Sequence, residues 1–99
     1  MGDWIRNENL AVTATSRQIA DDMSGRGGRV SIVIRNTSPN AADVITVSLG
    51  QQAAVATAGI VLRQGEVWYD SNDSGYLAFQ NQIEAVCATA NGTLALMER

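Results

Sequence analysis

The residue types that usually carry enzymatic chemistry are scarce in this chain. It contains no histidine, a single cysteine at Cys87, and no lysine, because all seven basic residues are arginine. Without histidine there is no imidazole general base, no Ser–His or Cys–His pair and no imidazole ligand for zinc. One cysteine excludes a disulfide within the chain and a multi-cysteine metal site. We therefore expect no enzymatic activity and no cofactor.

Two remaining candidates for chemistry have simpler structural interpretations. The segment Asp70 to Gly75 (DSNDSG) resembles the first half of a calcium-binding loop. The position six residues after the glycine, where such a loop needs a bidentate acid, holds Asn81. We expect an acidic turn between strands there and no bound metal. Cys87 lies among small apolar residues, which favours a buried packing role over that of a nucleophile.

The charge balance limits the class of partner. Ten acidic and seven basic residues give a net charge of −3, and the arginines are scattered. An acidic chain with scattered arginines is a poor binder of a nucleic-acid backbone, so we expect no nucleic-acid partner. Residues 24–29 form a polar, glycine-rich segment, which we expect to be an exposed loop. Its Arg26 is a candidate for pairing with an acidic surface of a partner protein.

Short β-branched runs separated by turn signals predict an all-β fold. The clearest strands are 29–35, 43–49 and 93–97, and shorter runs, among them 76–80 and 83–88, bring the number to about eight. This spacing is typical of a small sandwich or barrel, and we predict one sandwich domain over residues 10–99. The residues expected to be mostly buried are Val30, Ile32, Ile34, Ile45, Val47, Leu62, Phe79, Ile83, Leu94 and Leu96.

The pair Asn91-Gly92 is the strongest hairpin signal in the chain. Both residue types tolerate positive φ, which a type I′ turn requires at its two central positions. The sequence therefore predicts a two-residue hairpin that joins strand 83–88 to strand 93–97. We expect both residues of the turn to have positive φ.

Residues 1–9 carry Trp4 and Ile5 among polar neighbours. The segment shows neither the alternation of a strand nor the period of an amphipathic helix, so we predict an extended N-terminal arm. Aromatic residues supply much of the energy of protein interfaces. Trp4, Ile5 and Arg6 are therefore candidate contacts to a neighbouring subunit, although the arm could instead fold back onto the end of the sandwich.

Adjacent aromatic residues at Trp68 and Tyr69 must point to opposite faces of a strand. One side chain is expected in the core, and the other is expected to be exposed as an interface anchor or as a ring that stacks on a sugar. Both residues are candidate interface positions. We favour the interface, because sugar sites usually combine several rings with convergent polar groups.

The run of strand motifs from Arg29 to the C-terminus resembles small virion proteins of bacteriophages. The motifs that carry the resemblance are IVIRNTS at 32–38, ITVSLG at 45–50, GIVLRQGE at 59–66, IEAV at 83–86 and GTLA at 92–95. The proteins that they resemble are head decoration (cement) proteins and single jelly-roll vertex proteins. The resemblance implies a jelly-roll sandwich without enzymatic activity that contacts the major capsid protein and other copies of itself as a homo-oligomer.

The alternative that stays open is a carbohydrate- or receptor-binding sandwich of a phage fibre or tail. A cupin-like enzyme is disfavoured, because cupins hold their metal mainly through histidine. The chain shows no secretory h-region and no apolar run of membrane-spanning length, so we expect synthesis in the host cytoplasm, no membrane partner, and a place on the capsid surface of the virion.

Overall fold

The computed structural model describes residues 6–23, 28–50, 53–72 and 78–99. Within these ranges the chain is all-β and forms eight strands without a helix. None of the described residues belongs to a helix long and apolar enough to cross a membrane. The strands are β1 (Arg6–Val12), β2 (Arg17–Ala20), β3 (Ser31–Asn36), β4 (Ile45–Leu49), β5 (Ile60–Leu62), β6 (Val67–Ser71), β7 (Ile83–Cys87) and β8 (Gly92–Glu98).

The strands form two four-stranded antiparallel sheets. Sheet A has the order β1-β8-β3-β6, and sheet B has the order β2-β7-β4-β5. The pairs β1:β8, β2:β7, β3:β6 and β4:β5 are all antiparallel, and they alternate between the two sheets. Each of the first four strands thus pairs with one of the last four, and the partners follow in reverse order from β8 to β5. Two further ladders, β3:β8 and β4:β7, complete the sheets.

Alternating side chains of both sheets meet in one apolar core. In β3 the inward residues are Ile32 and Ile34, and in β8 they are Leu94 and Leu96; all four are fully buried. Sheet B contributes Ile45, Val47, Leu62 and Ile83. Eight of the ten residues predicted to be mostly buried are therefore confirmed, and they lie in strands with period-two alternation. Phe79 is half-buried and packs against the edge of the core.

The prediction is wrong for Val30, whose side chain is 48% exposed. Strand β3 begins one residue later, at Ser31, and the N–H of Val30 donates to the carbonyl oxygen of Arg99. The predicted strand 76–80 is also wrong in its described part, because residues 78–80 form no strand. Residues 76 and 77 lie outside the described residues.

The hairpin predicted at Asn91-Gly92 is wrong as well. Strand β7 lies in sheet B and β8 in sheet A, so the two strands do not pair. Neither Asn91 nor Gly92 has positive φ. Glycine is required at position 92 for space, because a Cβ there would lie 2.6 Å from Sγ of Cys87 and 2.8 Å from the carbonyl oxygen of Val12. The segment is a corner between sheets and not a hairpin.

The N-terminal segment contains a strand that its sequence does not reveal. Residues 6–9, predicted to be part of an irregular arm, form the first half of β1 and pair with residues 95–98 of β8. Their side chains are largely exposed, so burial imposes no alternation of apolar and polar residues on them. The remainder of the predicted arm, residues 1–5, lies outside the described residues.

Candidate interaction surface

The outward face of sheet A carries a patch of apolar side chains. Cross-strand neighbours Tyr69, Val33 and Met97 form a row across β6, β3 and β8. Tyr69 is 69% exposed and Met97 is 50% exposed, while Val33 between them is half-buried. Val67, in the next row of the same face, is also exposed. We call this set, Val33, Val67, Tyr69 and Met97, the apolar patch.

The face around the apolar patch is depleted of charge. Its remaining outward positions in the four strands are Ser31, Arg35, Ser71, Thr93, Ala95, Asn7, Asn9 and Ala11. Arg35 is the only charged residue among these described positions. Depletion of charge together with enrichment of Tyr, Met and Arg is the composition that distinguishes the centres of protein interfaces from ordinary surface.

The outward face of sheet B differs, because the chain covers part of it. Outward-facing Thr46 of β4 and Val86 of β7 are only 1% and 5% exposed. The segment 53–59 lies against this face: the N–H of Thr57 donates to Oγ1 of Thr46 at 3.0 Å, and the N–H of Ala54 donates to Oγ of Ser16 at 2.8 Å. The apolar patch of sheet A has no comparable cover among the described residues.

The two adjacent aromatic residues occupy opposite faces of β6. Trp68 points inward, is half-buried, and packs against the core. Tyr69 points outward into the apolar patch. The prediction that one ring belongs to the core and the other is exposed is confirmed. Tyr69 is therefore the stronger interface candidate of the two.

Of the other predicted interface residues, only Arg6 lies among the described residues. Its guanidinium donates to the carbonyl oxygen of Ile19 at 2.8 Å and forms an ion pair with Glu8. It also lies 3.6 Å from the carboxylate of Glu98. Arg6 thus links β1 to both sheets instead of being held out towards a partner. Trp4, Ile5 and Arg26 lie outside the described residues.

A buried arginine, Arg29, connects the last strand of sheet A to two loops at one end of the sandwich. Arg29 is 1% exposed, and its Nε donates to Oε2 of Glu98 at 2.6 Å. Its terminal nitrogens donate to the carbonyl oxygens of Phe79, Asn81 and Asp21 at 2.5, 3.0 and 2.7 Å. One guanidinium therefore satisfies four acceptors from two loops and the last strand.

Gln80 binds the backbone of the same arginine. Its Oε1 accepts from the N–H of Arg29 at 2.6 Å, and its Nε2 donates to the Arg29 carbonyl at 2.9 Å. The expectation that Arg29 ends an exposed loop and begins strand 29–35 is wrong, since its side chain is buried and β3 begins at Ser31. The available signal was Glu98, which continues the inward alternation of Leu94 and Leu96 and, once buried, needs a cation.

A second polar cluster lies inside the sandwich, where β3 ends. Nδ2 of Asn36 donates to the carbonyl oxygens of Asp43 and Leu62 at 2.8 and 2.9 Å, and its Oδ1 accepts from the N–H of Ser38. The buried Asp43 accepts a hydrogen bond from Oγ1 of Thr89. These contacts join the end of β5 to the turns that follow β3 and β7, which gives the cluster a structural role.

No cluster suited to binding a metal ion forms among the described residues. These residues include no group of three or more side chains that could hold a metal ion. In the segment that resembles half a calcium loop, Asp70 belongs to β6 and accepts from the N–H of Phe79, and Asn72 accepts from the N–H of Ala78. The positions 73–75 lie outside the described residues. Cys87 is buried, and its Sγ contacts Thr89.

No known protein-family model matches the chain, and no curated protein matches it at a significant level.

Proposed function

We propose that this protein is a structural component of a bacteriophage virion that binds the capsid and other copies of itself. The observation that carries the proposal is the apolar patch on sheet A. Solvent-exposed tyrosine, methionine and valine lie in adjacent rows, and Arg35 is the one charge among the described residues of this face; this is the composition of an interface centre. A partner protein surface would remove this patch from water.

We also propose that the sandwich is a jelly roll. The support is the pairing of β1:β8, β2:β7, β3:β6 and β4:β5, with successive pairs in alternate sheets. An antiparallel ribbon wound in this way gives eight strands in two sheets, the double-sheet architecture used by viral capsid and lectin domains. Because one fold serves many functions, the topology supports the virion role without selecting it.

In the proposed role, the major capsid protein contacts the apolar patch, and self-association uses the neighbouring sheet edge. The sandwich itself supplies a rigid platform, because the ladder β6-β3-β8 fixes the spacing of Tyr69, Val33 and Met97. A small domain with few large side chains gains stability when its exposed apolar area is buried against a larger body. The proposed location is therefore the capsid surface.

The experiment is a binding and stability assay on phage particles from which this protein has been deleted. Wild-type protein should bind such particles and raise the temperature at which they release their DNA. Tyr69→Ser should weaken binding about 30-fold or more, as expected of an interface hot spot worth about 2 kcal/mol. Val55→Ser is the matched control, because Val55 is 62% exposed but lies on the segment that covers sheet B.

One outcome would contradict the virion proposal, and a second would contradict only the assignment of particle binding to the apolar patch. One is that particles without the protein are as stable and infectious as complete particles and do not bind it. The other is that Val55→Ser weakens binding as much as Tyr69→Ser. The second result would show that particle binding does not use the apolar patch.

The second candidate function is a carbohydrate- or receptor-binding module of a phage fibre or tail. The observation that favours it is the exposed ring of Tyr69 beside the polar residues Ser71 and Asn72. Aromatic rings with adjacent polar groups stack on sugars, although sugar sites usually combine several rings. A glycan array distinguishes the two candidates: specific binding lost in Tyr69→Ser supports the module, and absence of binding together with capture by particles supports the virion role.

A further inference from the structure

The outer edge of sheet A at β6 presents backbone groups that no described residue pairs. Residue 31 of β3 exchanges both hydrogen bonds with Arg99, so the odd-numbered residues of β3 bond towards β8. The backbone of Asn36, an even-numbered residue, accordingly bonds on the side of β6, to the backbone of residues 65 and 66, which precede that strand. By this alternation the even residues of β6 bond to β3. The N–H and C=O groups of Val67, Tyr69 and Ser71 therefore point to the open edge and have no hydrogen-bond partner among the described residues.

Among the described residues, the opposite edge of sheet A is protected and the β6 edge is not. On β1 the guanidinium of Arg17 donates to the outward carbonyl of Ala11 at 3.0 Å, and charged Arg6 and Glu8 lie along the strand. Charges and capped backbone groups are the devices that prevent strand addition. On β6 no described side chain caps the outward backbone groups, and two of the three residues that carry them, Val67 and Tyr69, have exposed and uncharged side chains. The β6 edge is thus the one suited to receive another strand.

Charge selects one register for two antiparallel copies of β6. If Tyr69 faces Tyr69 of the second copy, Val67 faces Ser71 and Trp68 faces Asp70. Shifting the strands in one direction places Asp70 opposite Asp70, and shifting them in the other places it opposite Glu66. Like charges directly opposite one another destabilise a strand pair. The register centred on Tyr69 avoids both clashes. It also places each of the three residues with open backbone groups opposite another such residue of the second copy.

We propose that two copies of this protein associate through antiparallel pairing of their β6 strands, with Tyr69 at the twofold axis. The inference rests on the proposed self-association and names its surface and register. Three residue pairs, Val67 with Ser71, Tyr69 with Tyr69 and Ser71 with Val67, each exchange two hydrogen bonds across the axis. The two copies of sheet A become one eight-stranded sheet, and the two apolar patches join into a single stripe that crosses the axis through the two Tyr69 rings.

Site-specific crosslinking tests both the edge and the register. Facing residues of a hydrogen-bonded antiparallel pair have Cα atoms about 5.5 Å apart, within the range of a disulfide. In a Cys87→Ala background, Tyr69→Cys should crosslink to itself in mild oxidant. Val67→Cys alone and Ser71→Cys alone should not, because each faces the other residue. A mixture of Val67→Cys and Ser71→Cys proteins should crosslink.

Sedimentation measures whether the dimer forms without a crosslink. Wild-type protein should sediment as a dimer at micromolar concentration, and Tyr69→Pro should sediment as a folded monomer. Proline at 69 removes an N–H that points away from β3, so the native ladder keeps its hydrogen bonds. Tyr69→Thr is the matched control, because it changes the side chain and keeps the N–H. The Tyr69→Thr protein should remain mostly dimeric, and its circular dichroism spectrum should match that of the wild type.

The outcomes separate this inference from the proposed function. A wild-type protein that stays monomeric at 100 μM, or crosslinking of Val67→Cys to itself in preference to Tyr69→Cys, overturns the β6 pairing. Neither result bears on particle binding, which is measured with deleted particles. If the crosslinks form as expected and the protein still fails to bind particles, the dimer stands and the virion role fails.

Discussion

Removing the guanidinium of Arg29 should destabilise the fold more than any other single arginine substitution among the described residues. The variant Arg29→Met keeps the length and apolar part of the side chain and removes its donors. It leaves the buried Glu98 without its closest cation and leaves three backbone carbonyls without their guanidinium donor. Breaking a buried ion pair by removing one partner costs about 3–5 kcal/mol. For a domain of this size that corresponds to a fall in Tm of roughly 12 °C or more.

The assay is urea unfolding followed by tryptophan fluorescence, with thermal unfolding as a second measurement. Arg35→Met is the matched control, because Arg35 is exposed on the outer face of sheet A and its loss should change the free energy of unfolding by less than about 0.5 kcal/mol. Should Arg29→Met be too unstable to purify, Arg29→Lys keeps the charge and loses the planar fork. We expect it to cost about 1–3 kcal/mol.

A double substitution tests the physical reason for the effect. In Arg29→Met/Glu98→Met both charges are removed, so no carboxylate remains buried without its partner. The double variant should therefore be more stable than Arg29→Met alone, although less stable than the wild type because the loop carbonyls still lack their donor. The reasoning is refuted if Arg29→Met unfolds within 0.5 kcal/mol of Arg35→Met, or if the double variant is less stable than Arg29→Met.

Three further predictions concern other positions. Gly92→Ala should cost about 1–3 kcal/mol, because its Cβ would overlap Cys87 and Val12, whereas Asn91→Asp should be nearly neutral; equal Tm values would contradict the steric explanation. Asn36→Ala should cost about 2 kcal/mol or more in urea unfolding, because it leaves buried carbonyls without donors, and the exposed Asn40→Ala should cost less than about 0.5 kcal/mol. Trp4→Ala should weaken assembly or particle binding by about 2 kcal/mol and leave Tm nearly unchanged; early melting with normal binding would show that Trp4 belongs to the core.

The parts of the fold that the sequence predicts are those in which one strand face is buried and the other is not. Strand β3 with Ile32 and Ile34, and strand β8 with Leu94 and Leu96, show the alternation clearly because the core removes every second side chain from water. The N-terminal half of β1 shows no such alternation. Its pairing depends on the backbone of β8, which a local pattern does not encode.

The corner at Asn91-Gly92 cannot be predicted from its local sequence for a related reason. A local turn signal reports which φ angles a residue tolerates, and glycine at 92 is instead required by contacts with Cys87 and Val12. The buried role of Arg29 was also missed. Its main partner, Glu98, is 69 residues away in sequence, and only the tertiary fold brings the two charges together.

The candidate interaction surface was predictable in part. The alternation of side chains along a strand separates Trp68 from Tyr69, and the structure places Tyr69 on the exposed face. The rest of the apolar patch depends on strand order, because Val33 and Met97 become neighbours of Tyr69 only through the ladders β3:β6 and β3:β8. No sequence pattern gives that order.

If the proposed role is correct, the genome that encodes this chain produces phage particles, and the most direct test is quantitative mass spectrometry of those particles after purification. We expect the protein to copurify with intact capsids in a fixed ratio to the major capsid protein. Tyr69→Ser should lower this ratio, and Val55→Ser should not. Absence of the protein from purified particles, with the soluble protein folded and present in the infected cell, would contradict the account.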